Sequence, residues 1–159
     1  MKQWIRITLI CSAITLGLFG SRYTSQAQPA QDSSYQAISD KFFEMLQQNK
    51  ASEAFDYIFG TNPATKKMPD KVDQVKAQFT SLRNMMGPYV SHTRLAETKV
   101  ADMFVYQHYF VAYERQPISI RIKYYKPGAT WVCYAVQFDA DLDDLIQKVA
   151  DNKISVDVK

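Results

Sequence analysis

Cysteine and histidine are both scarce in this sequence, with two residues of each among 159. Cys11 falls in an N-terminal segment that we expect to be removed, which leaves Cys133 without a partner for an intramolecular disulfide. A zinc site requires three or four converging ligands, and the strand pattern places His92 and His108 on opposite faces of a sheet. We therefore expect no metal site and no cofactor, and we interpret Cys133 as a buried apolar side chain rather than a reactive thiol.

Glycine is also rare, with five residues in the whole chain. No glycine-rich loop that could cradle a phosphate is present, and no nucleophile elbow of the G-x-S-x-G type. The run Asp139–Asp144 begins with the spacing of an EF-hand loop. Its sixth position, however, is Asp144 instead of glycine, and its twelfth is Ala150 instead of glutamate. We interpret these acids as the start of a helix, where negative charge is favoured.

The first 27 residues have the pattern of an export signal. Lys2 and Arg6 precede an apolar run at 7–19, and Ser25–Ala27 provides small residues for a signal peptidase, so cleavage is expected after Ala27. The apolar run is shorter than the roughly 20 residues that span a bilayer. Two alternatives stay open: an uncleaved membrane anchor, and a lipoprotein attached through Cys11. The predicted location is the periplasm or the exterior, with no stable membrane insertion after cleavage.

Once residues 1–27 are removed, neither positive nor negative charge is in excess. The chain has 19 Lys and Arg against 16 Asp and Glu. Three of the basic residues, Lys2, Arg6 and Arg22, lie within 1–27, and no acid does, so residues 28–159 carry 16 charges of each sign. Because no net positive charge is left to attract phosphates, we predict no nucleic-acid partner.

Residues 28–33 are polar and are expected to form a flexible leader, followed by a single domain at 34–159. The helical spacing of apolar residues, together with capping residues and glycines, predicts four helices in this domain. They run from Ser34 to about Asn49, from Ala51 to Phe59, from Asp70 to Met86, and onward from Asp141.

Four strands of an antiparallel meander are predicted between Val90 and Phe138, where apolar residues alternate and turn signals recur. Turns at 101–102, 115–116 and 127–128 pair Arg94 with Tyr109, Tyr113 with Ile118, and Tyr124 with Trp131. A slip of one residue in any turn would exchange the two faces of that strand.

This register predicts an apolar inner face that receives the helices and a mixed aromatic and basic outer face that is left open. The outer face carries Phe104, Tyr106, His108, Phe110, Arg121, Lys123, Tyr125, Val132, Tyr134 and Phe138. Monomers seldom expose large apolar patches. The outer face is therefore a candidate interface with a second copy or another protein, through Tyr106, His108, Phe110, Tyr125 and Tyr134.

Short motifs accompany this order of elements: an aromatic pair in the first helix (Phe42-Phe43), a glycine before the sheet (Met86-Gly87), and Trp131 opening the last strand. Together they resemble the NTF2-like, cystatin-like superfamily, in particular its small exported bacterial domains of unknown function. The resemblance implies an α+β fold in which N-terminal helices pack on a curved four-stranded antiparallel meander sheet, forming a cone, with a short C-terminal helix. Enzymes of this superfamily place an acid or histidine in the cone against a tyrosine or second acid. No position matches such a motif, so no catalytic residue is assigned.

Polar residues of the inner face would line the open end of such a cone. His92, Arg94, Gln107 and Tyr109 could there hold a small anionic or hydroxylated ligand. Alternatively, His92 and Arg94 belong to a solvated edge strand, where charge is favoured. Isomerase or lyase chemistry needs a carboxylate beside these groups, and the register points Glu97 to the other face.

We therefore predict an exported, non-enzymatic binding domain that forms a homodimer or binds a partner through the outer sheet face. The alternative is a small-molecule-binding cone with weak isomerase or lyase activity.

Overall fold

The elements follow one another in the order that the sequence predicts. The computed structural model describes residues 34–151, so the predicted signal at 1–27, the leader at 28–33 and the last eight residues lie outside the described part. Its helices are α1 (Tyr35–Gln47), α2 (Ala51–Gly60), α3 (Pro69–Met86) and α4 (Asp143–Ala150), and its strands are β1 (Tyr89–Val100), β2 (Phe104–Tyr113), β3 (Ile118–Tyr125) and β4 (Val132–Asp139). The strands form one open antiparallel sheet in the order β1-β2-β3-β4, which confirms the α+β class and the meander.

Local signals set the helix ends. The side chain of Ser34 accepts a hydrogen bond from the backbone N–H of Ala37, so it caps α1 as predicted. The prediction for α3 was wrong in detail, because the helix begins at Pro69 and Asp70 lies in its first turn instead of capping it. Gly87 ends α3 at φ +82°, a conformation that glycine adopts without strain.

The main core lies between the inner face of the sheet and the first three helices. Aromatic side chains dominate it: Phe42, Phe43, Phe55 and Phe79 are each buried, and their rings meet edge-on or tilted. From the sheet, the fully buried aliphatic residues are Val105, Val111, Ile118, Ile120 and Ile122. None of the helices within residues 34–151 has the length and hydropathy that would allow it to span a bilayer.

The strand register is partly the predicted one. Arg94 pairs with Tyr109 as expected. On β3, Ile118 pairs with Val111 instead of Tyr113. The backbone N–H groups that follow Tyr113 donate to the carbonyls of Pro88 and Met86 rather than closing a tight turn onto β3. The shift is two residues, so the faces of β2 and β3 are as predicted.

A β-bulge in β4 changes the predicted faces of that strand. Tyr124 pairs with Cys133, so its predicted pairing with Trp131 was wrong. Lys123 pairs with Ala135, so Tyr134 is the extra residue. The residues after the bulge exchange faces, and the prediction that Phe138 lies on the outer face was wrong. Its ring packs edge-on against Phe79 at a centroid distance of 5.2 Å in the main core.

A further bulge lies in the middle of β1, in addition to a register shift between Tyr89 and Ser91 at its start. Arg94 pairs with Tyr109 but Ala96 pairs with the next residue, His108, so Leu95 is inserted. Glu97 then pairs with Gln107 and faces inward, and its predicted outward orientation was wrong. Leu95 instead points to the outer face, where it joins an apolar cluster with Leu142 and Leu145 at α4.

Candidate functional site

Polar side chains are buried between α1 and the inner face of the sheet. This inner polar cluster consists of Tyr35, Ser39, Glu97, Gln107, Tyr109 and Tyr124. Tyr35 and Ser39 come from α1 and lie one helical turn apart, and the others come from β1, β2 and β3. Because Gln107 and Tyr124 are fully buried, their polar atoms must find their partners within the protein.

The amide of Gln107 lies at the centre of the inner polar cluster. Its Oε1 accepts from the hydroxyls of Ser39 at 2.6 Å and Tyr109 at 3.0 Å, and its Nε2 donates to Glu97 at 2.9 Å. The Ser39 hydroxyl is also 2.7 Å from the hydroxyl of Tyr124. A serine has one proton to give. The backbone carbonyl of Tyr35 is also within reach of the Ser39 hydroxyl, at 3.1 Å, but Gln107 Oε1 is nearer, so we assign the Ser39 proton to Gln107 and the Tyr124 proton to Ser39. The central groups therefore satisfy one another.

Glu97 closes the cluster toward solvent. Its two oxygens accept from the Tyr35 hydroxyl, Gln107 Nε2 and Arg94 Nη1, each at 2.9 Å. Partial burial raises the pKa of Glu97. The hydrogen bonds from Gln107 and Tyr35 and the charges of Arg94 and Lys99 lower that pKa by more, leaving it below its ordinary value. Glu97 is therefore a carboxylate at neutral pH.

His92 lies apart from the inner polar cluster. Its ring stacks on Phe43 with a centroid distance of 4.0 Å, and its Nδ1 is hydrogen-bonded to the Tyr89 hydroxyl. Burial lowers the pKa of His92, and the charge of Asp40 offsets only part of that effect. The imidazole is therefore neutral at pH 7.

Of the four predicted pocket residues, the structure brings three together. Gln107 and Tyr109 belong to the inner polar cluster, and Arg94 lies at its rim in an ion pair with Glu97. Sequence reasoning missed Ser39, although its spacing of four residues from Tyr35 was a usable signal. Glu97 had no such signal, because its orientation depends on the bulge.

On the outer face, α4 covers part of the surface that was predicted to be open. Phe110 packs against the cluster of Leu95, Leu142 and Leu145. His108 is 8% exposed, and its Nε2 is 3.0 Å from the hydroxyl of Ser119. Two of the five predicted interface residues are therefore covered within the chain itself.

The other end of the outer face is open. Val100, Phe104 and Tyr125 form one row across β1, β2 and β3, and the ring of Tyr134 meets that of Phe104 at 6.2 Å. We name these four residues the aromatic patch. Val100 and Tyr134 are more than 60% exposed and Tyr125 is 38% exposed. Tyr106, half-buried, lies between this patch and the part of the sheet under α4.

Neither a metal-ligand cluster nor a reactive thiol is found in the described part of the chain. Within residues 34–151, no three His, Cys, Asp or Glu side chains converge closely enough to hold a metal ion. Cys133 is fully buried, and burial raises the pKa of its thiol to about 12, so it is protonated at neutral pH.

No protein-family model, curated protein or solved structure matches this chain. The resemblance to the NTF2-like superfamily therefore stays a prediction.

Proposed function

We propose that this chain is an exported, non-enzymatic interaction domain that pairs with a second copy of itself through the aromatic patch. The observation that carries this proposal is the division of the outer sheet face. The half that contains Phe110 and His108 is partly covered by α4, whereas the half that contains Tyr125 and Tyr134 has no such cover among the described residues.

The chemistry of the aromatic patch suits a protein interface. Tyrosine and phenylalanine are enriched in interface cores, because their rigid rings bury a large area at a small cost in entropy. Val100, Phe104 and Tyr125 lie on paired strands and Tyr134 lies at the bulge of β4, so the backbone of the patch is already ordered before binding. Met103, in the adjoining turn and 50% exposed, adds a flexible apolar side chain at its border.

A second copy is the occupant that the charges favour. Residues 28–159 carry equal numbers of acidic and basic residues, so two copies approach without net repulsion. A two-fold interface buries the same residues on both partners. The patch meets that requirement because its uncharged tyrosine rings can stack on one another and still keep their hydroxyls at the wet rim.

Sedimentation equilibrium of the wild type and of the double variant Tyr125→Ala/Tyr134→Ala tests the proposal. We expect a dimer for the wild type and a monomer for the variant, with unchanged far-UV circular dichroism. Met85→Ala is the matched control, because Met85 is 59% exposed and lies on α3, away from the outer face. A monomeric wild type, or a double variant with the dimer mass, would overturn the proposal.

Small-molecule binding with weak isomerase or lyase chemistry is the second candidate, and one observation favours it. The bulge at Leu95 supplies the carboxylate that proton transfer requires, since it places Glu97 within hydrogen-bonding distance of Gln107 and Arg94. A ligand there would have to replace the hydrogen bond from Tyr109 to Gln107. A panel of small hydroxylated compounds should therefore raise the melting temperature of the wild type, and should raise that of Tyr109→Phe by at least as much, because this variant has no such bond to give up.

A further inference from the structure

The helix α4 is held on the outer sheet face by a small apolar cluster that is separate from the main core. Leu142 and Leu145 pack there against Leu95 of β1, with Phe110 of β2 beside them. Among the side chains of α4 that the structure describes, Leu145 is the only buried one, and Leu142 lies just before the helix. Two leucines therefore carry the apolar contact that the described residues show between this helix and the sheet.

The rest of the contact between α4 and the sheet is loosely packed. A cleft of about 170 Å³ separates the two, and Asp144 and Lys148 line it from the helix. A helix of eight residues is marginal in water without tertiary contacts. Because the apolar anchor of α4 is small and lies outside the main core, we expect α4 to leave the sheet by local unfolding while the main core stays folded.

The surface beneath α4 continues the aromatic patch. Leu95 and Phe110 lie on the same face of the sheet as Phe104 and Tyr125, and Tyr106 lies between the two groups. With α4 in place, Leu95 is buried and Phe110 is half-buried. Release of α4 would therefore extend the exposed apolar surface of the outer face from the aromatic patch toward the middle of β1 and the far end of β2.

The aromatic patch alone is small for a stable interface. Three of its side chains are between 38% and 63% exposed. Since an aromatic side chain presents about 150–250 Å² in full, the patch offers roughly 300 Å². Stable protein–protein interfaces bury about 800 Å² on each partner. A tight dimer therefore needs surface beyond the patch, and the part of the same face that α4 covers is its apolar continuation.

We infer that α4 is an autoinhibitory cover of the outer sheet face, and that its release lets two copies of this chain associate more tightly. The inference rests on the proposed function, since the second copy is the same partner and the patch is part of the same surface. With α4 docked, the two copies meet through the patch alone. With α4 released, Leu95 and Phe110 enter the interface. The docked state is favoured in the isolated chain because α4 keeps these two side chains from water.

The full chain carrying Leu142→Ser and Leu145→Ser tests this inference, because these substitutions remove the anchor of α4 and lie outside the main core. Ile146→Ser is the matched control, since Ile146 lies on the same helix and is 60% exposed. Amide hydrogen exchange should show a loss of protection in α4 of the double variant but not of the control. Sedimentation equilibrium should give the double variant a dimer dissociation constant at least tenfold below that of the control.

A further substitution identifies the surface that gains contact. Adding Phe110→Ala to the double variant should return the dissociation constant to within threefold of the control value. The inference is overturned if α4 of the double variant keeps its protection, or if the constant does not fall. It is also overturned if Phe110→Ala leaves the fall unchanged, or if the released protein forms aggregates of undefined mass. A monomeric wild type overturns the proposed function, whereas the comparison of the double variant with Ile146→Ser still decides this inference.

Discussion

Replacing Glu97 by glutamine tests how the inner polar cluster contributes to stability. The carboxylate accepts three hydrogen bonds at 2.9 Å, one of them from a charged guanidinium. An amide at this position keeps one acceptor and turns an N–H donor toward the donors of Gln107 or Arg94. Hydrogen bonds to a charged group contribute about 1.5–3 kcal/mol. The side chain is 20% exposed, so water compensates part of the loss, and we expect Glu97→Gln to lower the free energy of unfolding by about 2 kcal/mol.

The effect of Glu97→Gln should depend on pH. The pKa of Glu97 in the folded protein lies below its ordinary value of 4.5. A group with a depressed folded pKa stabilises the protein fully above its unfolded pKa, and this contribution is lost as pH falls through the folded value. The difference between wild type and variant should therefore be largest near neutral pH and shrink below about pH 4.5.

Urea denaturation followed by far-UV circular dichroism measures this difference. With a slope of about 2 kcal/mol per molar urea, a loss of about 2 kcal/mol moves the midpoint by about 1 M. Glu114→Gln is the control, because Glu114 is exposed in the turn after β2. If Glu97→Gln unfolds at the same urea concentration as Glu114→Gln, the cluster does not anchor α1 to the sheet, and the reasoning fails.

Three further outcomes follow from packing. Phe138→Ala should lower the free energy of unfolding by about 2–3 kcal/mol, since its ring contacts two core phenylalanines. Tyr134→Ala, at an exposed position, should lower it by less than about 1 kcal/mol. Similar losses for the two variants in urea denaturation would contradict the bulge assignment. Gly87→Ala should lower stability by about 1–2 kcal/mol because of its positive φ, and a melting temperature equal to that of the wild type would argue against strain there. Cys133 should resist maleimide at pH 8 until urea unfolds the chain, which peptide mapping would reveal; rapid labelling of the native protein would refute its burial.

The fold was largely predictable because its signals are local. Ser34 caps α1 and Gly87 ends α3 through hydrogen bonds and dihedral angles that involve only their neighbours. The alternation along β2 likewise placed Gln107 and Tyr109 inside, since strand faces follow a period of two. These features need no knowledge of the rest of the chain.

The candidate site was less predictable, because it depends on two inserted residues. Nothing in the composition of β1 distinguishes Leu95 as a bulge, yet that residue decides whether Glu97 faces the helices or solvent. The same holds for Tyr134, which moves Phe138 into the core. The position of α4 on the outer face depends on tertiary contacts. The spacing of its apolar residues shows that the helix is amphipathic, but it does not show which surface the helix covers.

The bulge at Leu95 also links parts of the molecule that never touch. Leu95 itself packs with Leu142 and Leu145 of the C-terminal segment, while its neighbours in β1 reach α1 through the bond from Tyr35 to Glu97. Deleting this one residue would remove a contact of each helix at once: the hydrogen bond from Tyr35 to Glu97 on one side of the sheet, and the packing of Leu95 against Leu142 and Leu145 on the other. α4, which among the described residues has little other apolar contact with the sheet, should then lose its amide-exchange protection, whereas α1 should keep most of its protection because its phenylalanines stay in the main core.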